Sequence, residues 1–389
     1  MGFKIFQPVL LFASVWLFVI LLFSFRFSYL LNQDINYAYI FYGISLFFFL
    51  IGYFGMFVFN KELSIGKIQL LTITEKLKKR IFKFFYLWAI VSIFEIIASG
   101  GVPIVWLFTG SSKDYMDFGI HSIHGLMNAL ELSLGVLGYY VYRVTKEKKF
   151  LFLTFTFFLW NLIIITRQVD VVLIVEVFFV YLLLSDNKLK LLRNILISSL
   201  LFVILFGIAG DARSGADNFT QLAQPTDNWP DWLPSGFLWV YIYITTPLNN
   251  LLFSFTFTVK HYQFLFPNTL SLLFPSFIRG LIYGPEGGDV SGNLVTDAFN
   301  VSSAFASPYQ DMGYYGIMLF SVFAGAFTNV VWWCKGIKRI FFRAIIAQIL
   351  ILSIFFNHFF YLPVSFQFVW ILIILGNYKN EELPIIKPN

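Results

Sequence analysis

The sequence predicts an all-α fold in which many helices cross a membrane, and three observations lead to this prediction. Hydrophobic residues make up 58% of the 389-residue chain and charged residues only 12%, against about 25% charged residues in soluble domains. Apolar stretches of about 20 residues, the length that crosses a bilayer as a helix, recur along the whole chain. Basic residues are concentrated in alternate connections between these stretches, which is typical of cytoplasmic loops.

Ten apolar stretches are long enough to be spans. They lie at 5–25, 38–59, 81–98, 121–142, 150–166, 170–185, 194–210, 312–334, 342–358 and 361–377. The first stretch has no small-residue cleavage site, so we expect an uncleaved helix. A further stretch at 235–257 is interrupted by a proline and two asparagines, and we expect it to be interfacial, re-entrant or half of an additional pair. The prediction is a bundle of about 10 spans (10–12).

The basic residues orient this bundle. Of the 27 Lys and Arg residues, 21 lie at the termini or in alternate connections, so the positive-inside rule predicts that both termini are cytoplasmic. The other six are Arg26, Lys113, Arg167, Arg213, Lys260 and Arg279. The predicted division is 1–210 with spans one to seven and a short outer loop at 99–119, then 211–311 as a large outer loop with interfacial or re-entrant helices, then 312–389 with spans eight to ten and a cytoplasmic tail. Loops as long as 211–311 are usually functional.

Polar residues follow one face of the fourth span. They are His121, His124, Asn128 and Glu131. Their spacing of three or four residues is that of one helix face, and a mid-membrane carboxylate costs about 2.5–3.5 kcal/mol unless it faces a partner or cavity. The stripe therefore faces the bundle, either as a functional surface or as a structural seam, and Gly135 and Gly138 continue it and let another helix approach closely. With Glu95 and Glu176, the intramembrane carboxylates either line a polar chamber or pair with neighbours to hold the bundle together.

Arg167 is the most distinctive basic residue. It lies between two apolar stretches with almost no loop, in Thr166-Arg167-Gln168-Val169-Asp170. Its guanidinium group offers a fork of donors that suits phosphate. The alternative is that Arg167 extends to lipid headgroups or pairs with Asp170 three residues later. All four histidines lie at or near the outer face under this topology, so we expect acid–base chemistry on that side.

Several functions are excluded or disfavoured by the sequence. There is no P-loop, H-E-x-x-H or G-x-S-x-G motif, which argues against a P-loop ATPase, a zincin and a nucleophile-elbow hydrolase. There is no D-x-D pair to hold a metal-bound nucleotide sugar. The single Cys334 offers neither an internal disulfide nor a thiolate cluster for a metal. The acidic excess of the large loop argues against a nucleic-acid surface.

Two groups of segments carry a family resemblance. The first is Ala98-Ser99-Gly100-Gly101-Val102-Pro103-Ile104, with Phe118-Gly119-Ile120 and His124-Gly125-Leu126 downstream. The second is Asn300-Val301-Ser302-Ser303-Ala304-Phe305, followed by Pro308-Tyr309-Gln310-Asp311-Met312-Gly313-Tyr314-Tyr315-Gly316. In their order and position, these segments resemble the Wzy-type O-antigen (oligosaccharide repeat unit) polymerases. The Thr166-Arg167 turn resembles the outer-face arginine turn of these polymerases and of the related O-antigen ligases.

The resemblance implies a GT-C-like glycosyltransferase of the bacterial inner membrane, with the large loop in the periplasm. Such an enzyme transfers a glycan chain from undecaprenyl pyrophosphate onto a lipid-linked repeat unit and uses no metal, nucleotide or other cofactor. Its expected partners are the lipid-linked donor and acceptor and membrane lipid, with a chain-length regulator protein as a further candidate and no nucleic acid. An O-antigen ligase or a lipid-linked oligosaccharide flippase is the alternative, although a flippase should show internal pseudo-symmetry.

The implied reaction needs ligands for pyrophosphate, a base and residues that hold sugar. We expect Arg167 and Arg279, with Arg213 as a weaker third, to bind the pyrophosphate. The expected base is His358 and, after it, His124. The remaining expected site residues are Asp311 in catalysis and sugar positioning, and Tyr309, Gln310, Asn300, Glu131 and His121 in substrate binding. The alternative for the segment from Tyr309 to Gly316 is a motif that starts and packs a helix.

Overall fold

Most of the chain is placed by a computed structural model. It describes residues 7–59, 73–185, 221–230, 232–233, 235–257, 259, 261–284, 288, 291–296 and 299–376, with isolated positions between 193 and 204. These residues form helices and connections without any strand, and an isolated bridge joins Ser28 to Pro225. The all-α prediction is therefore confirmed for the described part of the chain.

The described helices are numbered here in chain order. They are α1 (Gln7–Ser24), α2 (Ile35–Phe59), α3 (Glu75–Ser99), α4 (Pro103–Thr109), α5 (Ile123–Thr145), α6 (Lys148–Ile163), α7 (Arg167–Leu184), α8 (Ser235–Ser254), α9 (Pro267–Leu270), α10 (Ser276–Tyr283), α11 (Ala306–Met312), α12 (Tyr314–Trp332), α13 (Arg339–Leu352) and α14 (Leu362–Leu375). Within the described ranges, four helices are long and apolar enough to cross a membrane: α1, α2, α3 with its continuation into α4, and α12. α14 is a shorter apolar helix.

The long helices run back and forth, so their connections gather at two ends of the bundle. At one end, the Gly119 N–H before α5 donates to Ser99 Oγ at the end of α3, at 2.9 Å. At the other end, Arg80 near the start of α3 donates to the Ile374 carbonyl at the end of α14, at 3.1 Å. We call the first the histidine end, made of segments 119–124, 167–168, 271–279 and 358–361. We call the second the basic end, made of segments 75–83, 145–149 and 335–339.

The most extensive helix pair is α2 with α12. An added Cβ on Gly52 would overlap the backbone of Val322, and one on Gly325 would overlap the backbone of α2. Glycine at both positions therefore lets the two backbones approach closely, as small residues do at membrane helix interfaces. The Trp333 indole N–H also donates to the Tyr53 hydroxyl at 3.0 Å, which fixes the register of the pair.

α5 is surrounded by other helices. It is buried along most of its length and contacts α3, α6, α7 and α14. An added Cβ on Gly138 would lie 3.2 Å from the Phe150 carbonyl oxygen of α6, and one on Gly135 would lie 2.7 Å from Leu173 Cδ1 of α7. The predicted close approach of neighbouring helices at these two glycines is confirmed.

Two predicted spans differ from the structure or lie outside it, and the interrupted stretch at 235–257 contains a helix. That helix, α8 (Ser235–Ser254), includes Pro247, and its buried Asn249 and Asn250 side chains donate to the Leu30 carbonyl and the Phe299 carbonyl, at 2.9 Å and 3.0 Å. Its interfacial, re-entrant or paired placement stays a prediction. The predicted span at 342–358 ends as a helix at Leu352, before a short 3₁₀ turn at His358–Phe360. Apart from isolated positions, the predicted span at 194–210 lies outside the described residues.

Candidate functional site

The histidine end brings together four segments that are distant in sequence. Ser122 Oγ before α5 lies 2.7 Å from Ser276 Oγ at the start of α10. Gln168 in the first turn of α7 lies 3.1 Å from His358. The 3₁₀ turn Ser271–Leu273, just before α10, contacts the turn that holds His358. Five of the residues that the sequence predicts to be functional therefore lie at this end of the bundle: His121, His124, Arg167, Arg279 and His358.

His124 and Glu95 form an imidazole–carboxylate pair. His124 Nδ1 lies 3.2 Å from Glu95 Oε1 and 3.3 Å from Oε2, and the Ile120 N–H donates to the same Oε1 at 3.2 Å. The Glu95 side chain is 2% exposed, whereas that of His124 is 23% exposed. Because the carboxylate holds Nδ1, the other ring nitrogen, Nε2, is left for an outside group.

Gly119 allows the imidazole to lie against the backbone in front of α5. Its φ is 97°, a conformation that favours glycine. An added Cβ would lie 2.6 Å from His124 Cγ. The Phe118 ring packs edge-on against the imidazole, with 5.5 Å between ring centroids. The orientation of His124 is thus set by the loop before α5 as well as by Glu95.

His358 has a closed environment. Its Nε2 lies 3.1 Å from Gln168 Nε2, and its Nδ1 lies 3.0 Å from Gln348 Nε2. A neutral imidazole has one donor and one acceptor nitrogen, so one of the two amides must present its oxygen to the ring. His358 is 2% exposed. Both ring nitrogens are therefore engaged by the protein itself.

The two arginines described at this end stand without counter-ions. Arg167 is exposed at the first residue of α7, and Arg279 is half-buried on α10. Within the described residues, neither guanidinium makes an ion pair or a side-chain hydrogen bond, so the alternative pairing of Arg167 with Asp170 is not formed. Two unpaired guanidinium groups leave their donors available to an anion. Arg213 lies outside the described residues.

The three intramembrane carboxylates each have a different hydrogen-bonding partner. Asn161 on α6 donates to Glu131 on α5 at 2.7 Å, and Gln367 on α14 donates to Glu176 on α7 at 2.9 Å. Each carboxylate thus pairs with a different neighbour, as Glu95 does with His124. Of the alternatives that the sequence leaves open, these contacts favour pairs that hold helices together. Among the described residues, no three His, Cys, Asp or Glu side chains come together as a metal site.

Asp311 and Tyr309 bind the protein's own loop. The Asp311 carboxylate accepts four hydrogen bonds, from the backbone N–H and side chain of Asn268 at 3.1 and 2.8 Å and from those of Thr269 at 2.9 and 2.6 Å. Burial raises the pKa of Asp311 above its ordinary value, while these donors act in the opposite direction. The Tyr309 hydroxyl donates to the Phe257 carbonyl at 3.2 Å, and burial raises its pKa to about 12. Both side chains therefore shape the loop before α12.

The remaining predicted residues are dispersed. His121 is exposed and precedes α5, where Ser122 has a φ of 71°, so the prediction that His121 shares a helix face with His124 is wrong. Asn300 is exposed at a small cleft beside Tyr243, and Gln310 is half-buried in α11. Glu131 is fully buried and accepts its hydrogen bond from Asn161 of α6.

Sequence reasoning missed the amides that pair with the predicted residues. Asn161, Gln348 and Gln367 are buried, and each is the single amide side chain of its helix. Gln168 is adjacent to Arg167 and reaches His358. The available signal was their isolation, since a lone amide in an apolar span needs a hydrogen-bonding partner.

Comparison with known proteins adds no relative. No protein-family model, curated protein or solved structure matches this chain. The function is therefore argued from the residues of the histidine end and from the apolar helices.

Proposed function

We propose that the chain is a glycosyltransferase of the bacterial inner membrane that polymerises O-antigen repeat units at the periplasmic face. The observation that carries this proposal is the arrangement of the histidine end, where the partly exposed His124–Glu95 pair shares one end of the bundle with the unpaired Arg167 and Arg279. The proposal includes a GT-C-like bundle of about ten spans with both termini in the cytoplasm. The apolar helices α1, α2, α3 and α12 support the membrane location.

The proposed reaction is a substitution at the anomeric carbon of the donor glycan. A hydroxyl oxygen of the lipid-linked acceptor forms the new glycosidic bond, and the bond from the anomeric carbon to the pyrophosphate oxygen breaks. Undecaprenyl pyrophosphate leaves with the bonding electron pair, and the hydroxyl proton passes to a base. The enzyme must therefore hold an anion and accept one proton.

The two arginines suit the anionic leaving group. Their guanidinium groups have no counter-ion among the described residues, so binding pyrophosphate costs no existing ion pair. Cations placed where negative charge develops stabilise the transition state, and one lost donor costs about 3–4 kcal/mol. Arg167 and Arg279 are the proposed pyrophosphate ligands, and Arg213 is kept as a third candidate from the sequence.

We assign the base to His124 rather than to His358. Both ring nitrogens of His358 lie within hydrogen-bonding distance of glutamine amides, so it has no nitrogen left for a substrate proton. His124 uses only Nδ1 on Glu95. An imidazole that binds a carboxylate through one nitrogen can accept a proton at the other, and the resulting positive charge is stabilised by that carboxylate. Asp311 is reassigned from catalysis to positioning the loop.

The test is the lipopolysaccharide banding pattern of a strain that lacks the gene. A core that carries a single repeat unit, restored to a ladder by the cloned gene, is the expected result. A core without any repeat unit would point to a ligase or flippase, and an unchanged ladder would exclude all three activities.

The residue-level test replaces Arg167 by Ala in the same strain. We expect polymerisation to fall about 10²- to 10³-fold at equal protein level, because one transition-state donor is lost. Arg193→Ala removes an exposed arginine from a predicted cytoplasmic segment and serves as the matched control. A normal ladder from Arg167→Ala would show that the pyrophosphate assignment is wrong.

A further inference from the structure

A groove at the basic end lies between the start of α3 and the start of α6. Its volume is about 510 Å³, and it is lined by Glu75, Lys78, Lys79, Phe82, Lys83, Tyr86 and Lys149. Four of these seven side chains are lysines. None of the residues proposed for glycosyl transfer that the structure describes lies at this end, so the groove is separate from the histidine end.

Two of the four lysines, Lys78 and Lys149, are already neutralised by ion pairs. Lys78 pairs with Glu75 at 2.6 Å and also with Glu147, while Lys149 pairs with Glu147 at 2.8 Å. The positive charges of these two lysines are therefore balanced by the negative charges of the two glutamates, and little net charge remains on this group for a ligand. These contacts also tie the start of α3 to the connection before α6.

The other two lysines of the groove, Lys79 and Lys83, keep their positive charge. Lys79 and Lys83 are exposed, lie four residues apart on the same face of α3, and make no ion pair with any described residue. Two neighbouring ammonium groups beside these neutralised ion pairs form a site for one phosphate group.

An apolar surface continues directly from these lysines along α3. Tyr86, Ile90, Ile93 and Ile97 are 61%, 54%, 56% and 70% exposed, and they follow one another at helical spacing. α3 is among the helices that are long and apolar enough to cross a membrane, so acyl chains would cover this stripe. A phosphate at Lys79 and Lys83 would then lie where a lipid headgroup meets its own acyl chains.

We propose that this groove binds the phosphate headgroup of an anionic phospholipid, with Lys79 and Lys83 as the phosphate ligands and Tyr86 at the headgroup–acyl boundary. The shared chemistry is that of any phosphate, but the continuous apolar stripe favours a lipid over free phosphate. The proposal does not depend on the glycosyltransferase function.

The experiment measures lipid binding to the purified full-length protein by native mass spectrometry. The probes are dioleoylphosphatidylglycerol, dioleoylphosphatidylcholine and inorganic phosphate. The double variant Lys79→Gln, Lys83→Gln should bind phosphatidylglycerol about 30-fold more weakly than the wild type, since each lysine near a headgroup contributes roughly a fivefold effect. Lys146→Gln with Lys148→Gln removes the same charge from exposed lysines outside the groove and should bind like the wild type.

Four results would overturn the proposal. They are unchanged phosphatidylglycerol binding by the groove variant, an equal loss in the control variant, equal binding of phosphatidylcholine, and displacement of the lipid by inorganic phosphate. The last of these would identify a free-phosphate site. Because Lys79 and Lys83 are exposed, their replacement leaves the packing of α3 intact, and thermal unfolding at the wild-type temperature verifies this.

Discussion

Two of the histidines at the histidine end, His124 and His358, have opposite surroundings. His124 binds a buried carboxylate through one ring nitrogen and is partly exposed, whereas His358 is buried and engages one glutamine amide with each ring nitrogen. The first arrangement can accept a proton from outside, and the second has no free ring atom to do so. The contrast shows that a histidine in an apolar chain acquires its role from its partners, since both residues lie at the same end of the bundle.

The largest effect is expected when the two histidines are replaced in parallel. His124→Ala should lower the polymerisation rate about 10²- to 10⁴-fold, which is the usual contribution of a general base. His358→Ala should lower the rate per folded protein less than tenfold, but should reduce the free energy of unfolding by about 1–3 kcal/mol because the buried Gln348 amide loses its partner. Rates come from purified protein with lipid-linked repeat units, and stability from denaturant unfolding. The reverse order of rates would restore His358 as the base.

A smaller effect is expected for the carboxylate that positions His124. Glu95→Gln removes the charge but keeps the shape, and a hydrogen bond to a charged group contributes about 1.5–3 kcal/mol, so kcat should fall about 10- to 100-fold. KM should stay unchanged, because Glu95 is buried behind the imidazole. Glu95→Asp is the conservative control and should recover part of kcat. A raised KM with normal kcat would mean that Glu95 contacts the substrate directly.

The smallest effect concerns Asp311. Its polar side-chain atoms, like those of His358, are hydrogen-bonded by other groups of the protein. Burial raises the folded-state pKa of Asp311 above its ordinary value of 3.8. The folded protein is therefore more stable, relative to the unfolded chain, when Asp311 is protonated. Its contribution to stability is full below that ordinary value and is lost as the pH rises through the raised folded-state pKa.

The measurement for Asp311 is the difference in unfolding temperature between the wild type and Asp311→Asn. This difference should shrink by a few degrees between about pH 4 and about pH 8, because only the wild type loses this contribution as the pH rises. Thr269→Val is a companion variant that removes one donor to the carboxylate without changing charge. A difference that grows with pH would show that the four donors outweigh burial.

The all-α class and the close helix contacts at two glycines could be predicted from the sequence, but the pairs in the site could not. Apolar runs and small residues act locally, so α5 with Gly135 and Gly138 could be recognised from spacing alone. The carboxylate partner of His124 is 29 residues away in the chain and the α7 amide partner of His358 is 190 residues away, and no local pattern encodes such distances. His121 illustrates a related failure, because Ser122 with its positive φ precedes the helix that begins at Ile123 and leaves His121 outside it.

The tight pairing of α2 with α12 has a consequence for biosynthesis. Tyr53 accepts its hydrogen bond from a tryptophan 280 residues later, and Trp16 of α1 donates at 3.1 Å to Ser353, which is 337 residues later. The first two helices therefore cannot reach these C-terminal partners until nearly the whole chain has left the ribosome. During that interval Gly52 offers an uncovered backbone surface to any passing helix. We expect the packing of α1 and α2 against the C-terminal helices to be the last step of folding. It should also be the first step to fail when the C-terminal helices are removed.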